Sequence, residues 1–178
     1  MAAPSSRTTG LLLRVSCLLM LVYIQIITSL VINAGVFIFS DEVLISPFNF
    51  HLTSQHEPSY QSPTAGAYFW TTILSAAMTL GLCVPVALVA FALLAMMLAV
   101  YAKDIPALWL STGCQGVSSL LILTGIITFL LLNNSYVSLE HMTLWFYLCV
   151  GVLVELVITT ALTFVSMRRL KSEWDQSC

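Results

Sequence analysis

Residues 142–171 read MTLWFYLCVGVLVELVITTALTFVSMRRLK. The first 26 of them carry one charge, Glu155, and the last four carry three basic groups, Arg168, Arg169 and Lys171. About 20 predominantly apolar residues suffice for a helix to cross a bilayer. The run is therefore long enough to span, and the basic cluster marks where it leaves the hydrocarbon. Short cytoplasmic loops keep an excess of Lys and Arg, so the C-terminal end of this segment is expected on the cytoplasmic side.

Three more segments of the same kind lie upstream. No charge occurs in the 26 residues between Arg14 and Asp41, and none between Glu57 and Lys103. The expected spans are residues 15–39, 68–101, 107–132 and 142–167. All six basic residues fall on one side of this plan: Arg7 and Arg14 before the first span, Lys103 between the second and third, and the cluster after the fourth. The other two connections, the larger outer loop 40–67 and the short loop 133–142, hold only acids: Asp41, Glu42, Glu57 and Glu140. An all-α integral membrane protein follows, a single four-transmembrane-helix bundle with both termini cytoplasmic and a cytoplasmic tail at 168–178. A cleaved signal peptide is the rival reading of the first span, but its apolar run exceeds the roughly 7–15 residues of such a segment. Cleavage would leave three spans with the same orientation.

Composition agrees with this class. The chain of 178 residues is 59% hydrophobic and 8% charged, with a mean hydropathy of +0.97, against roughly 25% charged residues in a soluble domain. The spans consume nearly all of it, so no separate soluble domain fits. The net charge of −2 and the lack of a long basic cluster exclude a nucleic-acid-binding surface. The second span, 34 residues long, exceeds a hydrocarbon core of about 30 Å and should tilt or project. Pro85 within it should introduce a kink. Tyr68, Trp70, Tyr101, Trp109, Tyr136 and Trp145 fall near span ends, as an interfacial aromatic belt requires.

The outer loops offer little chemistry. Val43, Leu44 and Ile45 form the only β-like run in residues 40–67, which Pro47, Pro58 and Pro63 interrupt. His51, His56 and Glu57 lack a second segment to complete a metal site, and His141 stands apart. Neither a Gly-rich phosphate loop nor a G-x-S-x-G element occurs. No cofactor and no enzymatic activity are expected. Asn133-Asn134-Ser135 is an N-glycosylation acceptor on the outer side, close to the bilayer. Of the five cysteines, Cys17, Cys83, Cys114 and Cys149 lie in the spans and are read as small packing residues, and Cys178 is the last residue. No pair has metal-ligand spacing.

Each span carries small or polar residues at i, i+4 spacing, which places them on one helix face. They are Gln25, Ser29 and Asn33 in the first, and Thr71, Ser75, Thr79 and Cys83 in the second. Ser111, Gln115 and Ser119, flanked by Gly113 and Gly116, mark the third, and Gly151, Glu155, Thr159 and Thr163 the fourth. Such faces usually meet other helices, as would Ala77-xxx-Gly81 and Ala95-xxx-Ala99. Glu155 is the only ionisable acid or base deep within a span. An ionised carboxylate at mid-bilayer costs at least about 2.5–3.5 kcal/mol, so it is expected as the neutral acid, both donor and acceptor. Gln25 is the best depth match for a partner. Gln115, about 6 Å nearer the cytoplasm, is a second. In one reading Glu155 and Gln25 clasp the bundle or a partner helix; in the other Glu155 is a proton or cation site of a transporter.

The layout of cytoplasmic termini, a larger first outer loop, a short cytoplasmic link and a short second outer loop resembles the four-span claudin-like superfamily of claudins, peripheral myelin proteins and calcium-channel gamma subunits. MARVEL-type four-span proteins share the coarse plan. The claudin-like signature, W…GLW…C…C, would lie in residues 40–67, which contain neither Trp nor Cys. The family's outer β-sheet and its disulfide are therefore not carried over, nor are its binding residues. Either resemblance implies a membrane-organising protein. The expectation is an accessory, scaffold or trafficking protein that contacts the lipid bilayer and other integral membrane proteins, or itself; the alternative is a small transporter or channel component using Glu155. Ala2 excludes myristoylation, terminal Cys178 is not a prenylation box, and the last four residues carry no retrieval signal. The plasma membrane is the default expectation, with an endomembrane as the alternative.

Overall fold

A computed structural model of the chain describes residues 6–31, 38–39, 43–45, 50–52, 73, 76, 79–102, 104–134 and 141–175. Among the described residues it is almost wholly helical. Four helices, α1 (Ser6–Val31), α2 (Val84–Ala102), α3 (Ile105–Leu132) and α4 (Leu144–Asp175), are each long and apolar enough to cross a membrane. Their outward faces are as apolar as their inward ones: Ile24, Phe91, Leu120 and Val157 are all more than half exposed. A helix that is hydrophobic all round belongs in a large core or a bilayer.

The inward stripes follow helical periodicity. Leu12, Val15, Leu19, Val22 and Ile26 of α1 are buried at alternating spacings of three and four, the repeat that keeps one seam against a neighbour. Helices α1 and α2, α2 and α3, α3 and α4, and α4 and α1 are in contact, which closes a four-helix bundle in chain order. Leu12 and Val15, from the start of α1, share one apolar cluster with Met96 and Ala99 of late α2, Ala107 and Leu108 of early α3, and Met167 and Leu170 of late α4. Successive helices therefore alternate in direction, and both chain ends approach the same end of the bundle. A second cluster fills the opposite half, from Leu19, Val22 and Ile26 through Val89, Ile122 and Phe129 to Phe146, Val152 and Leu156.

Several boundaries differ from those read in the sequence. Helix α1 begins at Ser6 rather than near Val15, and Ile38 and Phe39 are a strand instead of the end of the first span. Polar Ser and Thr near its start do not stop the helix, because its buried stripe begins at Leu12. Helix α4 continues through the basic cluster to Asp175 instead of releasing a tail at Arg168, since Met167 and Leu170 still have a core to pack on. Between α1 and α2, Ile38–Phe39, Val43–Ile45 and Phe50–Leu52 (β1–β3) form an antiparallel sheet in the order β1-β2-β3. Ile38 pairs with Ile45, and Leu44 with His51. The free side of β1 bridges to Met142, and the Phe39 N–H donates to the His141 carbonyl at 2.9 Å. Ile38 is fully buried in the upper apolar cluster. Among the described residues, burial of Ile38 and the pairing of β1 with Met142 tie the sheet to the bundle.

Pro85 has a structural consequence. Its ring would collide with the carbonyl four residues back in a regular helix and cannot donate there. Immediately before α2 the chain makes a π-helical turn, Thr79–Cys83, which contains Gly81. A Cβ placed on Gly81 would lie 2.9 Å from Gly125 Cα, and one on Gly125 would lie 3.1 Å from Gly81 Cα. The two backbones touch here, so of the two small-xxx-small pairs, Gly81 meets α3, while Ala95 and Ala99 are buried in the core. Gly113 and Gly116 play no such part: nothing lies within 4 Å of a Cβ built on either.

Candidate functional site

The two apolar clusters leave a gap. On α3 the upper cluster stops at Ile122 and the lower one begins at Leu108; on α4 they stop at Leu156 and resume at Met167. The buried positions between are polar: Ser111, Gln115, Ser118 and Ser119 on α3, and Thr159, Thr163 and Ser166 on α4. A polar layer therefore lies between α3 and α4, where the i, i+4 stripes of the two helices face each other.

Most of its hydroxyls are satisfied within their own helix. Ser118 donates to the Cys114 carbonyl at 2.8 Å, Ser119 to Gln115 at 2.7 Å, Thr163 to Thr159 at 2.7 Å and Ser166 to Leu162 at 2.7 Å. Gln115 makes the links between helices. Its Nε2 donates to Ser111 Oγ at 3.0 Å and to Thr163 Oγ1 at 3.3 Å, and Ser111 Oγ passes its own proton to the Ala92 carbonyl of α2 at 2.9 Å. One amide thus joins α2, α3 and α4. Hydrogen bonds of this kind between membrane helices are worth about 0.6 kcal/mol on average and up to about 1.7.

Gln115 is buried in this layer and does not reach for Glu155. Its partner Thr163 lies eight residues along α4, about 12 Å from Glu155 by helical rise. Glu155 is half-buried. Its Oε2 is sheltered inside the bundle and has no hydrogen-bond partner there. Gln25 is also half-buried, with Oε1 sheltered. Their neighbours Ile26 and Leu156 belong to the same apolar cluster, on helices that are in contact. Asn33 lies outside the described residues.

Gly151 sits one turn before Glu155 on α4, and a Cβ built there meets nothing within 4 Å. The α4 face around the carboxyl is thus open to close approach. Asn133 is buried at the end of α3, and its Nδ2, the atom that would carry a glycan, donates to the Phe129 carbonyl at 2.9 Å. Its backbone N–H caps the same carbonyl at 3.1 Å. Among the four described cysteines only Cys149 is a buried packing residue; Cys17 and Cys83 face outward from the bundle. Among the described residues no cluster of His, Cys, Asp and Glu could hold a metal ion. Tyr101 and Trp109 are exposed near helix ends, while Tyr68, Trp70, Tyr136 and His56 lie outside the described residues.

Sequence patterning pointed to Ser111, Gln115, Thr159 and Thr163 as stripe residues and offered Gln115 as a second partner for Glu155, whereas in the structure Gln115 bonds to Thr163. It missed Ser118 and Ser166, which extend the stripes by i+3 steps, and could not find the Ala92 carbonyl, because a backbone acceptor has no residue-type signal. Comparison with known proteins finds no matching family model, no matching curated protein and no matching solved structure.

Proposed function

We propose that this chain is a four-span integral membrane protein with both termini cytoplasmic, serving as an accessory, scaffold or trafficking partner of other membrane proteins. It resides by default in the plasma membrane and carries out no catalysis of its own. The observation that carries this reading is the α4 face formed by Gly151 and Glu155: an uncovered glycine one turn from a half-buried carboxyl whose Oε2 lacks a hydrogen bond. Small residues let a neighbouring helix come close, and a polar group in hydrocarbon gains by bonding across the contact. A partner helix, or a second copy of this one, with an amide or hydroxyl at that level would pack on Gly151 and bond the part of the Glu155 side chain that is not buried.

The same carboxyl supports the rival reading of a small transporter or channel component. A carrier site gathers several converging polar groups at one level. Here Thr159 of the polar layer stands one turn from Glu155 and gives its hydroxyl hydrogen to the Glu155 backbone carbonyl at 3.0 Å, but the layer's amide sits beside Thr163, about 12 Å along α4, and its donors are already engaged with Ser111 and Thr163. That separation favours the helix-contact reading.

Crosslinking followed by purification separates the two. A stoichiometric membrane partner, retained by Glu155→Gln and lost in Gly151→Leu, is the expected result. Pure liposomes showing pH-dependent flux that disappears in Glu155→Ala would replace this reading with transport. Assembly kept by Glu155→Asp but lost in Glu155→Gln would show that an ionised group, not a neutral one, makes the contact.

A further inference from the structure

The end of the bundle where α1 begins and α4 ends carries a feature that helix association does not use. Around the lower apolar cluster, Arg14, Arg168, Arg169 and Lys171 are all exposed. Arg14 lies beside Val15, which shares that cluster with Met167 and Leu170, so the arginine of α1 and the basic group of α4 occupy one end. Because α4 remains helical to Asp175, the three basic residues on it are presented from a rigid, packed element.

Arg168 is held in a defined way. Its guanidinium carbon sits 4.6 Å from the centre of the Phe164 ring. Phe164 in turn meets the edge of Trp109 of α3, with centroids 6.5 Å apart and planes at 83°. A cation over an aromatic face is attracted by the ring quadrupole. The guanidinium carries its N–H groups around its rim, a fork that matches phosphate or carboxylate oxygens two at a time. Among the described residues no acceptor takes a hydrogen bond from that fork. Trp109, itself 59% exposed, lies in the first turns of α3 at this same end. The arginine is therefore pre-ordered at the level where an interfacial tryptophan sits.

We propose that this end of the bundle binds the headgroups of anionic phospholipids. Arg168, stacked on Phe164, makes the directional contact to the headgroup phosphate, and Arg14, Arg169 and Lys171 add non-directional attraction. The occupant is a lipid rather than a free anion, because the apolar outer faces of α3 and α4, with Leu110 and Val165 exposed beside Trp109 and Phe164, provide the surface along which its acyl chains lie. The inference rests on the membrane insertion proposed above and not on the accessory role. Each basic residue near an anionic surface is worth about fivefold in affinity.

The test is native mass spectrometry of the full chain in detergent, titrated with phosphatidylserine or with phosphatidylcholine of the same acyl chains. Wild type should bind phosphatidylserine preferentially. Arg168→Gln should weaken that binding about fivefold, Arg168→Lys should weaken it less, and Phe164→Leu should weaken it while keeping every charge. Arg169→Gln and Lys171→Gln, at exposed positions, should each reduce it even if changes at Arg168 or Phe164 impair folding. Equal binding of the two lipids, or displacement of phosphatidylserine by inorganic phosphate, overturns the proposal. Extraction of the chain from cell membranes by alkaline carbonate would overturn it together with the membrane reading, whereas firm insertion without lipid preference overturns it alone.

Discussion

Gln115 directs both amide hydrogens within the bundle, one to Ser111 of its own helix and one to Thr163 of α4. A buried amide left without partners is costly, so the layer is stable only as a set. In a double-mutant cycle, Gln115→Leu and Thr163→Val should show a coupling of about 0.6 kcal/mol, and no more than about 1.7, when unfolding is followed in detergent. Additive effects of the two changes would mean that the bond contributes nothing. Asn133 is a second residue whose environment redefines it. Its sequon is plain in the sequence, yet Nδ2 closes the end of α3 on the Phe129 carbonyl. Glycosidase treatment should therefore leave the mobility of the mature chain unchanged, and a shift would show that the cap opens before the chain folds. The carboxyl of Glu155 was legible as the exceptional group of the fourth span, because a lone acid in an apolar run stands out. Its unbonded Oε2 was not, because that depends on which side chains surround it.

Among the elements, the π-helical turn Thr79–Cys83 shows how a local misfit and a tertiary contact combine. Pro85 interrupts the regular ladder, and Gly81 within the wider turn lies backbone to backbone against Gly125. Gly81→Ala and Gly125→Ala should each destabilise the bundle by about 1–3 kcal/mol through overpacking. Gly113→Ala and Gly116→Ala meet open space and should be neutral or stabilising by up to about 1 kcal/mol, since alanine is the better helix former. Thermal unfolding of the four variants in detergent checks the contrast; equal losses at all four positions would contradict it. Four long helices could be read from uncharged runs, and their interiors from i, i+4 stripes. Their ends could not. Helix α4 runs on past Arg168 because Leu170 has a buried site in the lower cluster. The sheet in residues 38–52 forms although Val43–Ile45 is the sole β-like run, because β1 gains pairing from Met142 and burial of Ile38.

At the scale of the whole molecule, alternating helices bring both chain ends to the end that carries Arg14, Arg168, Arg169 and Lys171, with the sheet at the opposite end beside Met142. If that basic end faces the cytoplasm, epitopes on both termini should be stained only after permeabilisation, and an epitope inserted within residues 53–62 should be stained in intact cells. Staining of either terminus in intact cells would reverse or break the proposed topology. The interior is also graded along α3 and α4, where buried polar residues lie between two apolar clusters, while the buried stripes of α1 and α2 stay apolar throughout. If the bundle lies in a bilayer, as proposed, no hydrophobic force draws its helices together, so packing and hydrogen bonds between them must do so. The layer supplies bonds that an all-aliphatic interior would lack.

The sequence by itself determined how many long apolar helices there are, where their uncharged runs lie and which faces carry polar groups, because charge depletion and periodicity are properties of residues along a line. Only the tertiary structure decided which polar faces meet at one level. It set Gln115 beside Thr163 and left Glu155 about 12 Å away along α4. It placed Gly81 rather than Gly113 or Gly116 at the closest backbone contact. It also stacked Arg168 on Phe164. Each of these depends on the axial offset and rotation of one helix against another, which arise from packing four surfaces together and leave no mark in any one of them.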